Sequence, residues 1–280
     1  MTVQFVWFVQ IKLSECPLVF RKTLAVLALL SFPLPALACG PDDDCLVETG
    51  NYRISMPEAA PRGALVFAHG YRGSSRGVMR NMALRRLADE YGFALVAINS
   101  VSGSWNLRYS PGKTFSEGRD EMAYVDAVLD DVIAKYGVPA GNVYATGFSE
   151  GGMMTWTLLC ERGSRFAGFA PMSGTFWTPE PAECASAPAD VVHIHGTADP
   201  TVPITGRQIG QSKQGNLNTV LAMYRAHGDY RDAGRETLDT MTCEFARNPE
   251  GRRLDLCLFD GGHSFSVARL RQALDWLTQG

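Results

Sequence analysis

The chain alternates between short, nearly unbroken apolar runs and longer stretches in which apolar residues recur every three or four positions. Runs of the first kind cover residues 64–68, 93–99, 142–146, 166–172, 191–195 and 254–259. Their length, with Gly, Pro or Asp close by, predicts strands buried on both faces. Among the second kind, residues 78–91 place Met82, Leu87 and Tyr91 near helical spacing. Residues 119–136 do the same with Met122, Val125, Leu129, Val132, Ile133 and Tyr136, and Gly137 with Pro139 ends that helix. Further helices are predicted over 152–159, 217–226 and 267–277. Strand and helix alternation of this kind predicts an α/β fold, a mostly parallel central sheet covered by helices on both faces. The apolar stripes are core packing.

The N-terminus is different in kind. Arg21-Lys22 precede an apolar run from Thr23 to Leu34, and Ala36-Leu37-Ala38 closes it with small outer residues. A positive region, a hydrophobic region and an A-x-A site in that order predict a signal peptide over residues 1–38 and a mature chain starting near Cys39. The expected location is outside the cytoplasm, periplasmic or extracellular. The run is shorter than the roughly 20 residues of a membrane span, so no stable membrane insertion is expected once the leader is removed. Two competing readings are a membrane anchor, since residues 3–11 are apolar too, and a lipoprotein acylated at Cys39.

Composition narrows the rest. At 280 residues and 46% hydrophobic content the chain can build one large core, so one domain over 39–280 suffices. A net charge of −3 provides no basic field for nucleic acid. Seven cysteines are present, and Cys16 leaves with the leader. The even remainder in an exported chain predicts three disulfides, for which 15 pairings exist. Joining sequence neighbours gives Cys39–Cys45, Cys160–Cys184 and Cys243–Cys257, the last able to staple adjacent strands. His193 and His195 could share one strand face, but no third ligand accompanies them, and no metal is expected.

Candidate chemistry centres on Gly147-Phe148-Ser149-Glu150-Gly151, set between a predicted strand and a predicted helix. A strand-to-helix turn this sharp forces unusual backbone angles on Ser149, and flanking glycines remove Cβ clashes. A serine hydroxyl needs a base, and the base needs an orienting acid. His263, after the late strand and Gly261-Gly262, is the expected base. Asp199, following the strand that ends at His195, is the expected acid, with Asp260 as its competitor. The order Ser149, Asp199, His263 is that of an α/β-hydrolase. The expected oxyanion donors are the backbone N–H groups of Glu150 and Tyr71, the latter in a loop that His69 braces. Three irregular segments, 100–118, 174–188 and 200–215, should rim the site. Among their aromatics, Tyr109, Phe115 and Phe176 included, Trp105 and Trp177 are the best candidates for substrate contact.

The chain resembles the secreted α/β-hydrolase esterases that include polyhydroxybutyrate depolymerase-like and feruloyl esterase-like enzymes. The matching pieces are Cys39-Gly40-Pro41-Asp42 with Tyr52-Arg53-Ile54, His69-Gly70, Gly147 to Gly152, His195-Gly196-Thr197-Ala198-Asp199 and Gly261-Gly262-His263. The resemblance implies the same triad and a cofactor-free acyl-enzyme mechanism on small or oligomeric esters. One departure is Ser264-Phe265, where many relatives follow the histidine with an aromatic residue and proline. Competing functions are a prolyl-oligopeptidase-like serine peptidase, which uses the same triad order, and a non-catalytic binding protein on the same fold.

Overall fold

The computed structural model of the chain describes residues 39–114, 118–238 and 240–279. The leader predicted over 1–38 and Phe115 lie outside these residues. The elements run β1 (Cys45–Val47), β2 (Gly50–Ser55), β3 (Gly63–Ala68), α1 (Ser75–Met79), α2 (Met82–Glu90), β4 (Phe93–Ile98), α3 (Glu121–Tyr136), β5 (Val143–Phe148) and α4 (Glu150–Arg162). They continue with β6 (Gly168–Met172), β7 (Val191–Gly196), β8 (Gln208–Ile209), β9 (Ser212–Lys213), α5 (Leu217–Gly228), β10 (Arg231–Leu238), β11 (Met241–Arg247), β12 (Arg253–Phe259) and α6 (Val267–Thr278).

Ten strands form one sheet in the order β1-β2-β4-β3-β5-β6-β7-β12-β11-β10. The six strands from β4 to β12 are parallel, and antiparallel strands flank them at both edges. β3, β4 and β7 are buried along their whole length on both faces, which is why they read as continuous apolar runs. Along β3, Ala64, Val66 and Ala68 enter one core while Leu65 and Phe67 enter the other. The first core is closed by α3, α4 and α5, the second by α1, α2 and α6. The register sets Ala68 beside Gly147, Gly147 beside Pro171, Met172 beside Ile194 and Gly196 beside Phe259. The loops after β3, β5, β6, β7 and β12 therefore leave at one edge, where open α/β sheets place their sites.

The predicted inner strands and the helices from α3 onward are present, with ends shifted by one to three residues. One expectation needs correction. The helix predicted over 78–91 is two helices: Arg80 ends α1, and Asn81 caps α2 by accepting from the Leu84 N–H at 3.1 Å. Met82, counted on the apolar stripe, is consequently exposed. The edge strands β1, β2, β10 and β11 were also not predicted from periodicity. β10 is exposed almost throughout and mixes charges with Gly234, so it carries no alternation to read. The three disulfides join Cys39 to Cys45, Cys160 to Cys184 and Cys243 to Cys257. Cys243 and Cys257 are direct cross-strand partners of β11 and β12, so the staple lies within the sheet. Cys39 is engaged in its disulfide and offers no thiol for acylation.

Candidate active site

Ser149 sits between β5 and α4 with φ 62° and ψ −122°, a conformation costly for a residue with a Cβ. Close packing enforces it. A Cβ on Gly147 would lie 2.2 Å from the Gly151 carbonyl oxygen, and one on Gly151 would lie 1.9 Å from that of Ala68. The Ser149 N–H donates to the Met172 carbonyl at 2.9 Å, which ties the turn to the end of β6. The serine thus stands at the first turn of α4, above the parallel strands.

Asp199 divides its two oxygens between separate tasks. Oδ1 accepts from the backbone N–H groups of Thr201 at 2.8 Å and Val202 at 2.9 Å, which fixes the loop after β7. Oδ2 accepts from His263 Nδ1 at 2.7 Å. This bond makes Nδ1 the protonated nitrogen and leaves Nε2 as the basic one. The loops of acid and base are laced together: the Thr197 N–H donates to Phe259 and the Ala198 N–H to Gly261. Only a glycine fits at 196, where a Cβ would lie 2.5 Å from the carbonyl oxygens of both Gly261 and Gly262. The competing acid, Asp260, is exposed. The His263 ring packs on Phe148, the neighbour of Ser149, with centroids 4.5 Å apart. Phe265, the departure from the family pattern, packs edge-on against Phe67 and also against Phe148. It anchors the His263 loop to β3 and β5.

Behind Asp199 runs a chain of hydrogen bonds whose direction is fixed by its first member. The Trp156 indole can only donate, so its Nε1–H, 3.2 Å from His193 Nδ1, makes that nitrogen an acceptor. His193 Nε2 then donates to His195 Nδ1 at 3.0 Å, and His195 Nε2 to the Val202 carbonyl at 2.7 Å. His195 Nε2 also lies 3.6 Å from Asp199 Oδ2. Burial lowers the pKa of both imidazoles and keeps them neutral. The pair that shares a strand face is thereby committed to hydrogen bonding. Sequence reading missed this chain, because nothing local announces that Trp156 reaches His193.

The loop after β3 is braced in a similar way. His69 Nδ1 donates to the Gly70 carbonyl at 2.8 Å, and Nε2 accepts from the Ser100 N–H at 3.1 Å. Burial lowers its pKa to about 4, so it stays neutral. The backbone N–H groups of Tyr71 and Glu150 donate to no protein acceptor among the described residues. Trp105 corrects an expectation. It is fully buried, and its indole N–H donates to the His69 carbonyl at 2.8 Å. The ring has no free surface to offer a substrate, and it holds the loop that carries Tyr71.

A cavity of about 280 Å³ adjoins Ser149, and Tyr71, Glu150, Met153, Trp177 and Gln214 help to line it. The Glu150 side chain is buried here. Its Oε1 accepts from Ser104 Oγ at 2.7 Å and from the Trp105 N–H at 3.4 Å. Desolvation pushes its pKa up to about 7 against the opposing effect of the Ser104 hydrogen bond. Sequence reading gave Glu150 a backbone role only. The available signal was a carboxylate in the first turn of a helix that is otherwise apolar there. Gln214 had no signal at all.

Fold and site define an α/β-hydrolase, a parallel sheet with a strained serine at a strand–helix turn and an acid–histidine pair on later loops. The family model described as phospholipase/carboxylesterase matches residues 116–241, a segment that contains Ser149 and Asp199. A protein of Nocardia uniformis subsp. tsuyamanensis, named as the esterase NocK, is 29% identical over 75% of this chain and 67% of its own length. Feruloyl esterase C of Emericella nidulans is 31% identical over 40% of this chain and 37% of its own. The match thus spans two-thirds of the first relative and little over a third of the second. The solved acetyl xylan esterase from Aspergillus awamori superposes with a TM-score of 0.59, at 16% identity, over 86% of this chain and 96% of that one. Over these segments the chain is similar to carboxylic ester hydrolases, and its fold is of the α/β-hydrolase type.

Proposed function

We propose that the protein is an exported serine esterase in which Ser149 is the nucleophile, His263 the general base and Asp199 the residue that fixes the histidine tautomer. His263 Nε2 takes the Ser149 proton as Oγ attacks the ester carbonyl, and returns it to the leaving alcohol. Water then attacks the acyl-enzyme by the same route. The N–H groups of Tyr71 and Glu150 stabilise the oxyanion, being uncommitted donors beside the serine. The observation that carries this reading is the 2.7 Å bond between Asp199 and His263 in a chain whose Ser149 holds a left-handed φ of 62°.

The substrates that fit the reading are small or oligomeric carboxylic esters, of feruloyl or acetyl type or hydroxyalkanoate oligomers. No cofactor enters the mechanism. Residues 39–280 form the catalytic domain and residues 1–38 the leader. Three disulfides support an oxidising compartment as the place of action. Among the described residues no helix is long and apolar enough to cross a membrane.

The test is hydrolysis of p-nitrophenyl acetate, butyrate and octanoate, methyl ferulate and hydroxybutyrate oligomers, with a dipeptide amide as control. Ester turnover that Ser149→Ala lowers by roughly 10⁴- to 10⁶-fold is the expected result. Turnover of the amide alone would move the protein to the peptidases. No turnover by the folded wild type would remove the esterase reading.

A further inference from the structure

One side chain outside the triad reaches both halves of the oxyanion hole. Glu150 supplies one donor through its backbone N–H at the first turn of α4. Its buried carboxyl accepts from Ser104 Oγ at 2.7 Å and from the Trp105 N–H at 3.4 Å. Among the described residues that carboxyl has no other hydrogen-bond partner. Ser104 and Trp105 belong to the loop after β4, and Glu121 of α3 holds the next residue by accepting from the Asn106 N–H at 2.9 Å. Keeping a carboxyl in such dry surroundings is costly, and desolvation pushes the Glu150 pKa up to about 7. What the loop after β4 does for the site explains why the acceptor is there.

That loop is bound in turn to the one that carries Tyr71. The Ser100 N–H donates to His69 Nε2 at 3.1 Å, the Trp105 indole N–H to the His69 carbonyl at 2.8 Å and the Arg72 N–H to the Gly103 carbonyl at 2.7 Å. Gly103 holds φ 78°, and a Cβ there would lie 3.1 Å from Arg72 Cα, so the two loops meet backbone to backbone. Because the Ser100 N–H can only donate, His69 Nε2 is the acceptor and Nδ1 carries the proton. Nδ1–H and the Gly73 N–H both donate to the Gly70 carbonyl, at 2.8 and 2.9 Å. That carbonyl shares one planar peptide group with the Tyr71 N–H and points away from it, so fixing the oxygen aims the donor.

We infer that the Glu150 carboxyl is a positioning group: through Ser104, Trp105 and His69 it sets the direction of the Tyr71 N–H, while its own backbone N–H is the second donor. One residue thus registers both halves of the oxyanion hole against each other. The inference rests on the esterase reading above and adds to it the side chain that aligns the two donors. An acceptor oxygen is what the loop requires, so the amide of glutamine can serve in its place. An apolar side chain of similar volume leaves Ser104 Oγ and the Trp105 N–H without their partner. The carboxyl touches no reacting atom, and its effect falls on the tetrahedral intermediate, where charge develops, rather than on ester binding.

The experiment compares the full chain with Glu150→Leu, Glu150→Gln and Ser104→Ala, the competent sites in each being counted by the end point of fluorophosphonate labelling. Two readouts are taken: kcat and KM for p-nitrophenyl butyrate, and Ki for an alkyl trifluoromethyl ketone. Ser149 Oγ adds to the ketone carbonyl, its proton passes to His263, and the carbonyl oxygen becomes the oxyanion of a bound hemiketal. Ki therefore reads the oxyanion hole directly, and a side chain that merely held the fold together would not move it once competent sites are counted. Glu150→Leu is expected to lower kcat/KM about 100-fold and to raise Ki in parallel, with KM changed about threefold or less. Ser104→Ala should lose about tenfold in both readouts, and Glu150→Gln should stay within about threefold of the wild type. A Glu150→Leu enzyme that keeps its kcat/KM overturns the inference. So does a loss of kcat/KM with Ki unchanged, or a Glu150→Gln enzyme as impaired as Glu150→Leu. Should Glu150→Leu fail to fold, Ser104→Ala decides: a loss shared by both readouts supports the inference, and no loss in either overturns it. Each of these outcomes leaves the esterase reading standing, whereas a wild type that hydrolyses no ester and binds no ketone overturns the two together.

Discussion

Asp199 and His263, 64 residues apart in the chain, are joined by a hydrogen bond of 2.7 Å from Nδ1 to Oδ2. Because Oδ1 of the same carboxylate is held by two backbone N–H groups, the side chain cannot turn away, and the imidazole inherits that rigidity. An amide at 199 could present its NH₂ to Nδ1 and favour the wrong tautomer. Asp199→Asn is therefore expected to lower kcat about 10⁴-fold with little change in KM. Steady-state kinetics on a p-nitrophenyl ester check this, and a loss under tenfold would remove Asp199 from the triad.

The strain at Ser149 is a stability cost that function retains. Ser149→Gly removes the Cβ from a residue at φ 62°, whereas Ser149→Ala keeps it. Both variants should be inactive. The glycine variant should nevertheless be the more stable by about 1 kcal/mol or more, after its own entropic cost. Urea titration of the two proteins gives the comparison; an alanine variant that is equally stable would mean the turn is unstrained.

Glu150 gives a pH prediction whose sign follows from its raised pKa. Its ordinary value of 4.5 applies to the unfolded chain, and about 7 to the folded one. Between these values the native state binds more protons than the unfolded state. The contribution is thus fully favourable below about pH 4.5 and is lost as pH rises through about 7. Buried neutral His69 acts in the opposite direction, losing stability as pH falls from 6.5 toward about 4. The difference between wild type and Glu150→Gln isolates the first effect. The Tm advantage of the variant should be larger at pH 8 than at pH 4.5, and a pH-independent difference would contradict the burial argument.

Trp105 is expected to behave as a core residue. Trp105→Ala deletes a fully buried side chain and its bond to the His69 carbonyl, and should cost about 3–5 kcal/mol in denaturant unfolding. A fully stable variant with altered ester preference would instead return the ring to the substrate.

Local sequence carried the inner strands because burial on both faces leaves an uninterrupted apolar run, as in Phe93–Ile98. It carried the serine turn because only glycine fits where Gly147 and Gly151 approach their neighbours. It offered the pairing of Cys243 with Cys257 because the two are neighbours in sequence, 14 residues apart, whereas the strand β11 that sets them opposite each other was not legible. The exposed strand β10 and the break at Arg80–Asn81 were not legible, since neither is marked by a change in apolar period.

By itself, then, the sequence determined the α/β alternation, the position of Ser149 and the chain order of its candidate partners. These depend on local backbone sterics and on which residues must leave water. Tertiary structure alone decided that Asp199 rather than Asp260 holds His263, that Trp105 braces a loop, and that Glu150, Trp177 and Gln214 meet around one cavity. Those outcomes depend on distances between segments far apart in the chain, and strand register and loop packing set such distances only once the whole sheet has formed.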